Sequence, residues 1–385
     1  MPICCGLSGS RLLLIVARAV QGLGGAIVDA VALSLIMDLF TAEADRAKAM
    51  GVYGFVCAGG GSIGVLLGGL LTSNLDWHWI FLVNIPVGIV VVALSLRWLP
   101  VGSVAAGSRH LDVGGAITIT AALMFAIYAV VNGNEAGWLT LRTLAPLLAG
   151  IALLGVFLLI ERRVRVPLVP LGLFGLRNLA VANVVGVLWA AGMFAWFFLS
   201  ALYLQLVLGY SPMQVGLAFL PANLIMAVFS LGLSARLVLR FGIRLPLAAG
   251  LGIAALGLLW FARAPLGGSF LVDVFPAMVL LGVGGGVAFN PVLLAAMNDV
   301  GPNDSGLASG IVNTSFMMGG ALGLAILASL AAARTAQGLA QGAERIAALN
   351  AGYQMAFVGG ALCALLAAVL CAVLLRPKPS GQTAQ

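Results

Sequence analysis

Charged residues are scarce in this sequence. Only 8% of its 385 residues are Asp, Glu, Lys or Arg, whereas hydrophobic residues make up 62%. Because a soluble domain carries about 25% charged residues, this composition excludes an ordinary soluble globular protein. It indicates a protein that crosses a membrane many times.

Other scarcities exclude further classes. Lysine occurs only at Lys48 and Lys378, and there is no Gly-x-x-x-x-Gly-Lys-Ser/Thr motif, so we expect no ATP-driven mechanism within this chain. The two histidines lie far from the five cysteines, whose neighbours are apolar, so we predict no metal site, no disulfide framework and no cofactor. The formal net charge is +7, but the arginines lie in short loops rather than in a basic patch with aromatics, and we expect no nucleic-acid partner.

Long apolar runs fill the rest of the chain. A helix needs about 20 apolar residues to cross the hydrocarbon of a bilayer, and runs of this kind are separated by charges, prolines and glycine clusters. They predict an all-α, polytopic membrane protein with eleven spans at residues 12–40, 50–72, 79–99, 112–132, 144–161, 179–203, 213–234, 246–263, 270–296, 306–333 and 351–375.

The distribution of arginine and lysine predicts the orientation. Thirteen basic residues fall on one side of the predicted spans and five on the other, with Arg18 left inside the first span. By the positive-inside rule, the side that carries the loop from Asp45 to Lys48 and the C-terminus is cytoplasmic. We therefore predict an inner (plasma) membrane protein with its N-terminus outside.

A glycine pattern in the first two spans occurs again in spans nine and ten. The displacement of eight spans is even, so the two copies share one orientation and make a parallel repeat of the kind found in transporters. Four glycines recur after 259 residues and a glycine pair after 260: Gly51, Gly60, Gly61 and Gly64 as Gly310, Gly319, Gly320 and Gly323, and Gly24-Gly25 as Gly284-Gly285.

The repeat predicts how the chain is divided. The last six spans form a complete half, so the first half would have three further spans ahead of Arg18, and spans four and five would be an inserted pair. The expected plan has fourteen helices, of which about eleven are present. The predicted units are residues 1–99, the remainder of the N-terminal half; 100–170, the inserted pair with cytoplasmic loops; 171–376, the C-terminal six-helix half; and 377–385, a cytoplasmic tail.

Four motifs resemble those of a known family. The sequence Arg18-x-x-Gln21-Gly22-x-Gly24 resembles the fourth-helix motif of the major facilitator superfamily, and the glycine row Gly51, Gly60, Gly64, Gly68 and Gly69 is similar to its fifth-helix antiporter motif. The stretches 77–88 and 308–323 resemble signatures of the fourteen-helix drug:proton antiporter branch. The resemblance extends from about Cys5 to Leu375.

The resemblance implies a major facilitator fold and a function. Members of this branch are not enzymes; they export amphipathic organic compounds in exchange for protons. We therefore expect a secondary transporter whose partners are small lipophilic or cationic substrates, protons and the lipid bilayer, and which acts as a monomer. The alternatives are a truncated fragment that does not transport, and a carrier for a specific metabolite.

Arg18 and Asp29 are the candidate proton-coupling residues. They are 11 residues apart on one predicted helix, which places them on one face about 16 Å apart. A charge in the bilayer costs at least about 2.5 kcal/mol, so such residues usually face a protein interior or an aqueous cavity. The family resemblance extends a role in proton transfer to Arg18, whereas Asp29 is a candidate on physical grounds alone. Snorkelling or a hydrogen bond to carbonyls of a neighbouring helix would also explain Arg18. A permanently protonated or water-bonded side chain near the cytoplasmic mouth would explain Asp29.

A second set of polar and aromatic residues is predicted to line a substrate cavity. Polar side chains in spans otherwise make interhelical hydrogen bonds, and the tryptophans otherwise belong to packing or an interfacial belt. The set is Gln21, Asn84, Asn183, Trp189, Trp196 and Asn313, and Asn223 and Asn290 share the same pattern.

The glycine row on the second span is predicted to permit close helix packing. Small residues at a spacing of four let two backbones approach. We expected this row to close against the glycines of the first span, around Gly24.

Overall fold

The computed structural model describes residues 2–40, 42–98, 112–164, 167–169, 171–297, 300–301 and 305–375. Within these ranges the side chains of some residues, Asp29 and Val65 among them, are not described. The described chain is helical with no strand, and eleven of its helical segments are long and apolar enough to cross a membrane. The predicted all-α class and the eleven predicted spans are confirmed.

Fourteen α-helices make up the described fold. The first seven are α1 Pro2–Gly6, α2 Arg11–Leu39, α3 Glu43–Asn74, α4 Trp79–Leu82, α5 Asn84–Trp98, α6 Val113–Ala136 and α7 Leu141–Arg163. The other seven are α8 Arg177–Leu202, α9 Pro212–Val228, α10 Ser234–Phe241, α11 Arg244–Phe261, α12 Phe275–Met297, α13 Ser305–Ala340 and α14 Arg345–Leu374.

Local sequence signals set several helix ends. Ser211 caps α9: its hydroxyl accepts from Gln214 N, the Gln214 side chain accepts from Ser211 N, and Pro212 occupies the first turn. Gly242, at φ 73°, ends α10, because a residue without Cβ adopts this left-handed conformation at little cost. The seventh span runs from Pro212 to Phe241 without a break, since a π-helical turn at Phe229–Leu233 joins α9 to α10.

The hydrophobic core lies in the second part of the chain. Apart from Met50, all residues of the main buried cluster fall between Leu173 and Leu375. In the most apolar 18-residue stretch of the span Arg177–Val207, 56% of the residues are buried, whereas none is buried in the span Trp79–Trp98. The six spans from α8 to α14 therefore form a packed bundle, which we call the second bundle. Helices α2 and α3 lie at its periphery, and many apolar side chains of α2, α3 and α5 are exposed.

Glycines bring the helices of this bundle together. A Cβ built at Gly319 of α13 would lie 2.6 Å from Val187 Cα of α8, and a Cβ at Gly323 would overlap Ala191. Gly250 of α11 packs against α12 in the same way, since a Cβ at Gly250 would lie 2.9 Å from Ala288 N. At these positions a larger side chain would meet backbone atoms, which cannot rotate away.

We expect Gly323→Leu to destabilise the bundle. Overpacking a filled interior costs about 1–3 kcal/mol, and the overlap with Ala191 places this substitution at the upper end. Thermal unfolding of the purified protein in nanodiscs measures the effect. Gly310→Leu on the same helix is the control, because no described atom lies within 4 Å of a Cβ at that position. Equal unfolding temperatures for the two variants would contradict the packing described above.

Candidate functional site

Arg18 lies in a small polar cluster on α2. Its Nη1 donates to Gln21 Oε1 at 3.1 Å, one helical turn away, and Cys5 Sγ donates to the same oxygen at 3.6 Å. The guanidinium carbon is 5.6 Å from the centroid of the Phe81 ring on α4. The structure therefore brings together the predicted residues Arg18 and Gln21, and adds two partners that the sequence did not single out.

Packing of α1 against α4 positions this cluster. Gly6 of α1 faces α4 so closely that a Cβ there would lie 2.5 Å from Leu82 Cδ2. This contact holds α1 and α4 beside α2, with Cys5 and Phe81 directed at the polar pair. The Arg18 side chain itself is exposed on the surface of α2.

The contacts of Arg18 do not neutralise its charge. The ion pairs among the described residues are Lys48 with Asp45 at 3.3 Å and the His78 ring with Asp76 at 2.9 Å, and neither involves Arg18. A cation–π contact contributes about 0.5–2 kcal/mol. Since a charge within a span costs at least about 2.5 kcal/mol, this ring alone does not offset the cost of Arg18.

Asp29 lies on the same helix as Arg18, as predicted. Its backbone belongs to α2, but its side chain is outside the described residues, so its surroundings are not part of the site described here. The role of Asp29 in proton coupling stays a prediction.

The predicted cavity residues are dispersed. Asn84 is exposed at the start of α5, and its Nδ2 donates to Ile80 O at 2.8 Å, so it closes the preceding turn. Asn183 is buried on α8 and donates to Leu179 O at 2.8 Å. Asn313 lies half-buried on α13. No described hydrogen bond joins any of these asparagines to Arg18 or to one another.

Trp189 and Trp196 lie inside the second bundle, each with only 2% of its surface exposed. The Trp196 ring packs 4.3 Å from Phe197 and 5.8 Å from Phe219 of α9, and Phe197 and Phe219 stack at 5.5 Å. In this conformation both tryptophans are packing residues. A cavity-lining role would need the bundle to open.

Two of the five glycines in the α3 row, Gly51 and Gly69, face the second bundle. A Cβ at Gly51 would lie 2.9 Å from Ser230 O, and one at Gly69 would lie 3.0 Å from Pro212 O. No described atom lies within 4 Å of a Cβ at Gly60, Gly64 or Gly68. The expectation that this row closes against the first span is wrong for Gly51 and Gly69, because their near neighbours belong to α9 and to the π-helical turn after it.

Gly54 forms the closest contact between α3 and the second bundle. Asn290 of α12 donates through Nδ2 to Ser230 O at 3.1 Å and to Ser230 Oγ at 2.9 Å, and both residues are almost completely buried. A Cβ at Gly54 would overlap Ser230 Oγ and lie 2.5 Å from Asn290 Oδ1. We call Gly51, Gly54, Ser230 and Asn290 the α3 contact.

A proline leaves one carbonyl of α12 without its helical donor beside the α3 contact. Pro291 has no N–H, so Val287 O of α12 loses its usual helical donor. Ser234 Oγ approaches that carbonyl at 3.5 Å. The adjacent Asn290 Oδ1 is buried and has no hydrogen-bond partner within the described structure. A buried acceptor of this kind in a native fold calls for an explanation, which a functional contact would supply.

Sequence reasoning recognised the motif glycines but not Gly54 or Ser230. Gly54 lies three residues after Gly51, hence on the same helical face, and Asn290-Pro291 is a polar residue before a proline in an apolar span. These signals were available. They did not show that the Gly54 face of α3 packs against Asn290 of α12.

A bundle of apolar spans, packed through glycines and carrying a buried polar contact between helices, is the architecture of a polytopic membrane protein. The family model described as Major Facilitator Superfamily matches residues 1–324. The chain belongs to this superfamily, a family of transporters that carry small molecules across membranes.

Several curated proteins are similar to this chain over most of its length. A cephamycin export protein of Amycolatopsis lactamdurans is 36% identical over 378 residues, which are 96% of this chain and 75% of that protein. A puromycin resistance protein of Streptomyces alboniger is 37% identical over 368 residues, 94% of this chain and 73% of that protein. A tetracenomycin C resistance and export protein of Streptomyces glaucescens is 31% identical over 333 residues, 86% of this chain and 61% of that protein.

Proposed function

We propose that this protein exports hydrophobic or cationic small molecules, antibiotics among them, in exchange for protons, by alternating access in the plasma (inner) membrane. The observation that carries the proposal is the α3 contact. A carrier that alternates needs helices of its two halves to meet closely enough to exclude solvent, without being bonded so strongly that they cannot separate. The close approach of Gly51 and Gly54 to Ser230 and Asn290 supports a contact of this kind.

The relatives support the class of substrate. Cephamycin and tetracenomycin C are named as the cargo of two of them, and both of those proteins are exporters. The first of these aligns with 96% of this chain, so α2, α3 and the second bundle all have counterparts in it.

Arg18 supports proton coupling. A cation that has no carboxylate partner within the described structure, in a span where charge is costly, is a functional-site hypothesis by default. Its hydrogen bond to Gln21 and its contact with Phe81 hold the guanidinium in one place, from which its charge can favour the ionised form of an acid that comes within about 4–6 Å.

The proposal includes the predicted division and orientation of the chain. Residues 1–99 and 171–376 would move relative to each other across the α3 contact, and residues 100–170 would be an inserted pair. The loop at Lys48 and the C-terminus would face the cytoplasm and the N-terminus the exterior, by the positive-inside rule.

Dye accumulation tests the proposal. In bacterial cells that lack their main exporters, we expect expression of this chain to lower the steady-state level of a fluorescent lipophilic cation, and a protonophore to abolish the difference. Membrane insertion is checked by immunoblot of the washed membrane fraction. Inserted protein with accumulation equal to the empty vector would contradict export, and export that is insensitive to the protonophore would contradict proton coupling.

A further inference from the structure

Two carboxylates meet at one end of the α6–α7 pair, away from Arg18. Asp112 caps α6, and its Oδ1 accepts from Gly115 N at 2.7 Å. Glu161 lies near the end of α7, and its Oε2 accepts from Val169 N at 3.2 Å in the connection that follows. Although Glu161 is an acid, only 5% of its surface is exposed.

The other oxygen of each carboxylate is buried without a partner. Neither Asp112 Oδ2 nor Glu161 Oε1 has a hydrogen-bond partner among the residues described. Both face the same point beside Gly115: a Cβ on this glycine would overlap Asp112 Oδ2 and lie 3.1 Å from Glu161 Oε1. The absence of a side chain on Gly115 leaves a space that both oxygens border.

No described cation neutralises this pair. Arg162 and Arg163 follow Glu161 but are exposed, and neither forms an ion pair with the carboxylates. Helix α13 packs against α6 and runs in the same direction, so its Arg334 lies toward the opposite end of the pair. The basic residues of the adjoining segments that lie outside the described residues are Arg109, His110 and Arg165.

We propose that Asp112 and Glu161 form a proton-binding site in which one proton on Glu161 Oε1 is donated to Asp112 Oδ2. Two adjacent carboxylates in an apolar environment do not both ionise, since each charge disfavours the other and burial disfavours both. A protonated carboxyl is a donor, so a single proton satisfies both unpartnered oxygens. A cation would need more ligands: within the described residues there is no cluster of three acidic, histidine or cysteine side chains.

The proton would also hold the connection after α7. Glu161 accepts from Val169 N through its second oxygen, so its position determines where the connection runs. Loss of the proton leaves two negative charges side by side, which separate and release that bond. This site does not depend on the proposed transport activity.

Infrared spectroscopy of the full-length protein in nanodiscs tests the site. A protonated carboxyl in an apolar environment has a carbonyl stretch that an ionised one lacks. We expect such a band at neutral pH, reduced by one carboxyl per chain in Glu161→Gln. The glutamine amide can donate to Asp112 Oδ2 and accept from Val169 N, so this variant should keep the fold, which thermal unfolding checks.

Two further variants make the result decisive. Asp112→Asn keeps an acceptor for Gly115 N and removes the neighbouring charge, so the Glu161 band should disappear at a lower pH than in the unmodified protein. Glu344→Gln, at an exposed acid whose side chain does not cap α14, should leave the band unchanged. The proposal is overturned if Glu161→Gln retains the full carbonyl band. It is also overturned if Asp112→Asn leaves the pH dependence of the band unaltered. Both outcomes hold even where a protonated acid elsewhere contributes to the spectrum.

Discussion

Replacing Gly54 with leucine is expected to reduce export to the level of the empty vector. A Cβ at this position would overlap Ser230 Oγ and lie 2.5 Å from Asn290 Oδ1, so α3 could no longer approach the second bundle without breaking the Asn290–Ser230 hydrogen bonds. Breaking a buried polar pair leaves groups unsatisfied at about 1–3 kcal/mol each, in addition to the overlap itself. Dye export from cells measures the loss.

The control for this prediction lies on the same helix. No described atom comes within 4 Å of a Cβ at Gly59, so Gly59→Leu should export normally. A double-mutant cycle sharpens the test. Gly54→Ala should reduce dye export less in a Ser230→Ala background than in the unmodified protein, because the hydroxyl that the new Cβ overlaps is then absent. Equal costs in the two backgrounds would show that the contact with Ser230 is not the cause.

Replacing Arg18 with alanine is expected to abolish drug-dependent proton movement while the protein remains inserted. The substitution removes the charge, the hydrogen bond to Gln21 and the contact with Phe81 together. Arg18→Lys keeps the charge but loses the planar guanidinium that both contacts use. We therefore expect drug-dependent proton movement to fall about tenfold, which corresponds to about 1.4 kcal/mol. A pH-sensitive dye in inside-out vesicles reports the proton movement.

Helix α13 offers a matched control for Arg18. Arg334 Nη1 donates to Gln337 Oε1 at 3.0 Å, which is the same arginine–glutamine pair three residues apart, but it lies near the end of a span. Arg334→Ala should leave proton movement unchanged. If the Arg18 and Arg334 variants behave alike, Arg18 is a local structural residue and has no part in coupling.

Part of this site could be predicted from the sequence because membranes constrain helices strongly. In hydrocarbon, the backbone N–H and C=O groups of each segment must form hydrogen bonds within that segment, so long apolar runs are helices. The number of spans then equals the number of runs that are long enough to cross the bilayer. Arg18 was identified for the same reason: a charge within such a run is costly wherever the helix packs. Its neighbour Gln21 lies one turn away and needs no tertiary information either.

The sequence by itself determined the class, the eleven spans and that Arg18 lies within the first of them, all of which depend on residues close together in the chain. Only the tertiary structure decided that α3 turns Gly51 and Gly69 toward the second bundle, that the Phe81 ring lies beside Arg18, and that Glu161 lies close to Asp112. The physical reason is that a helix that is apolar on all sides has no hydrophobic stripe to indicate its partner. Which faces meet is then decided by the shape of the neighbouring helices.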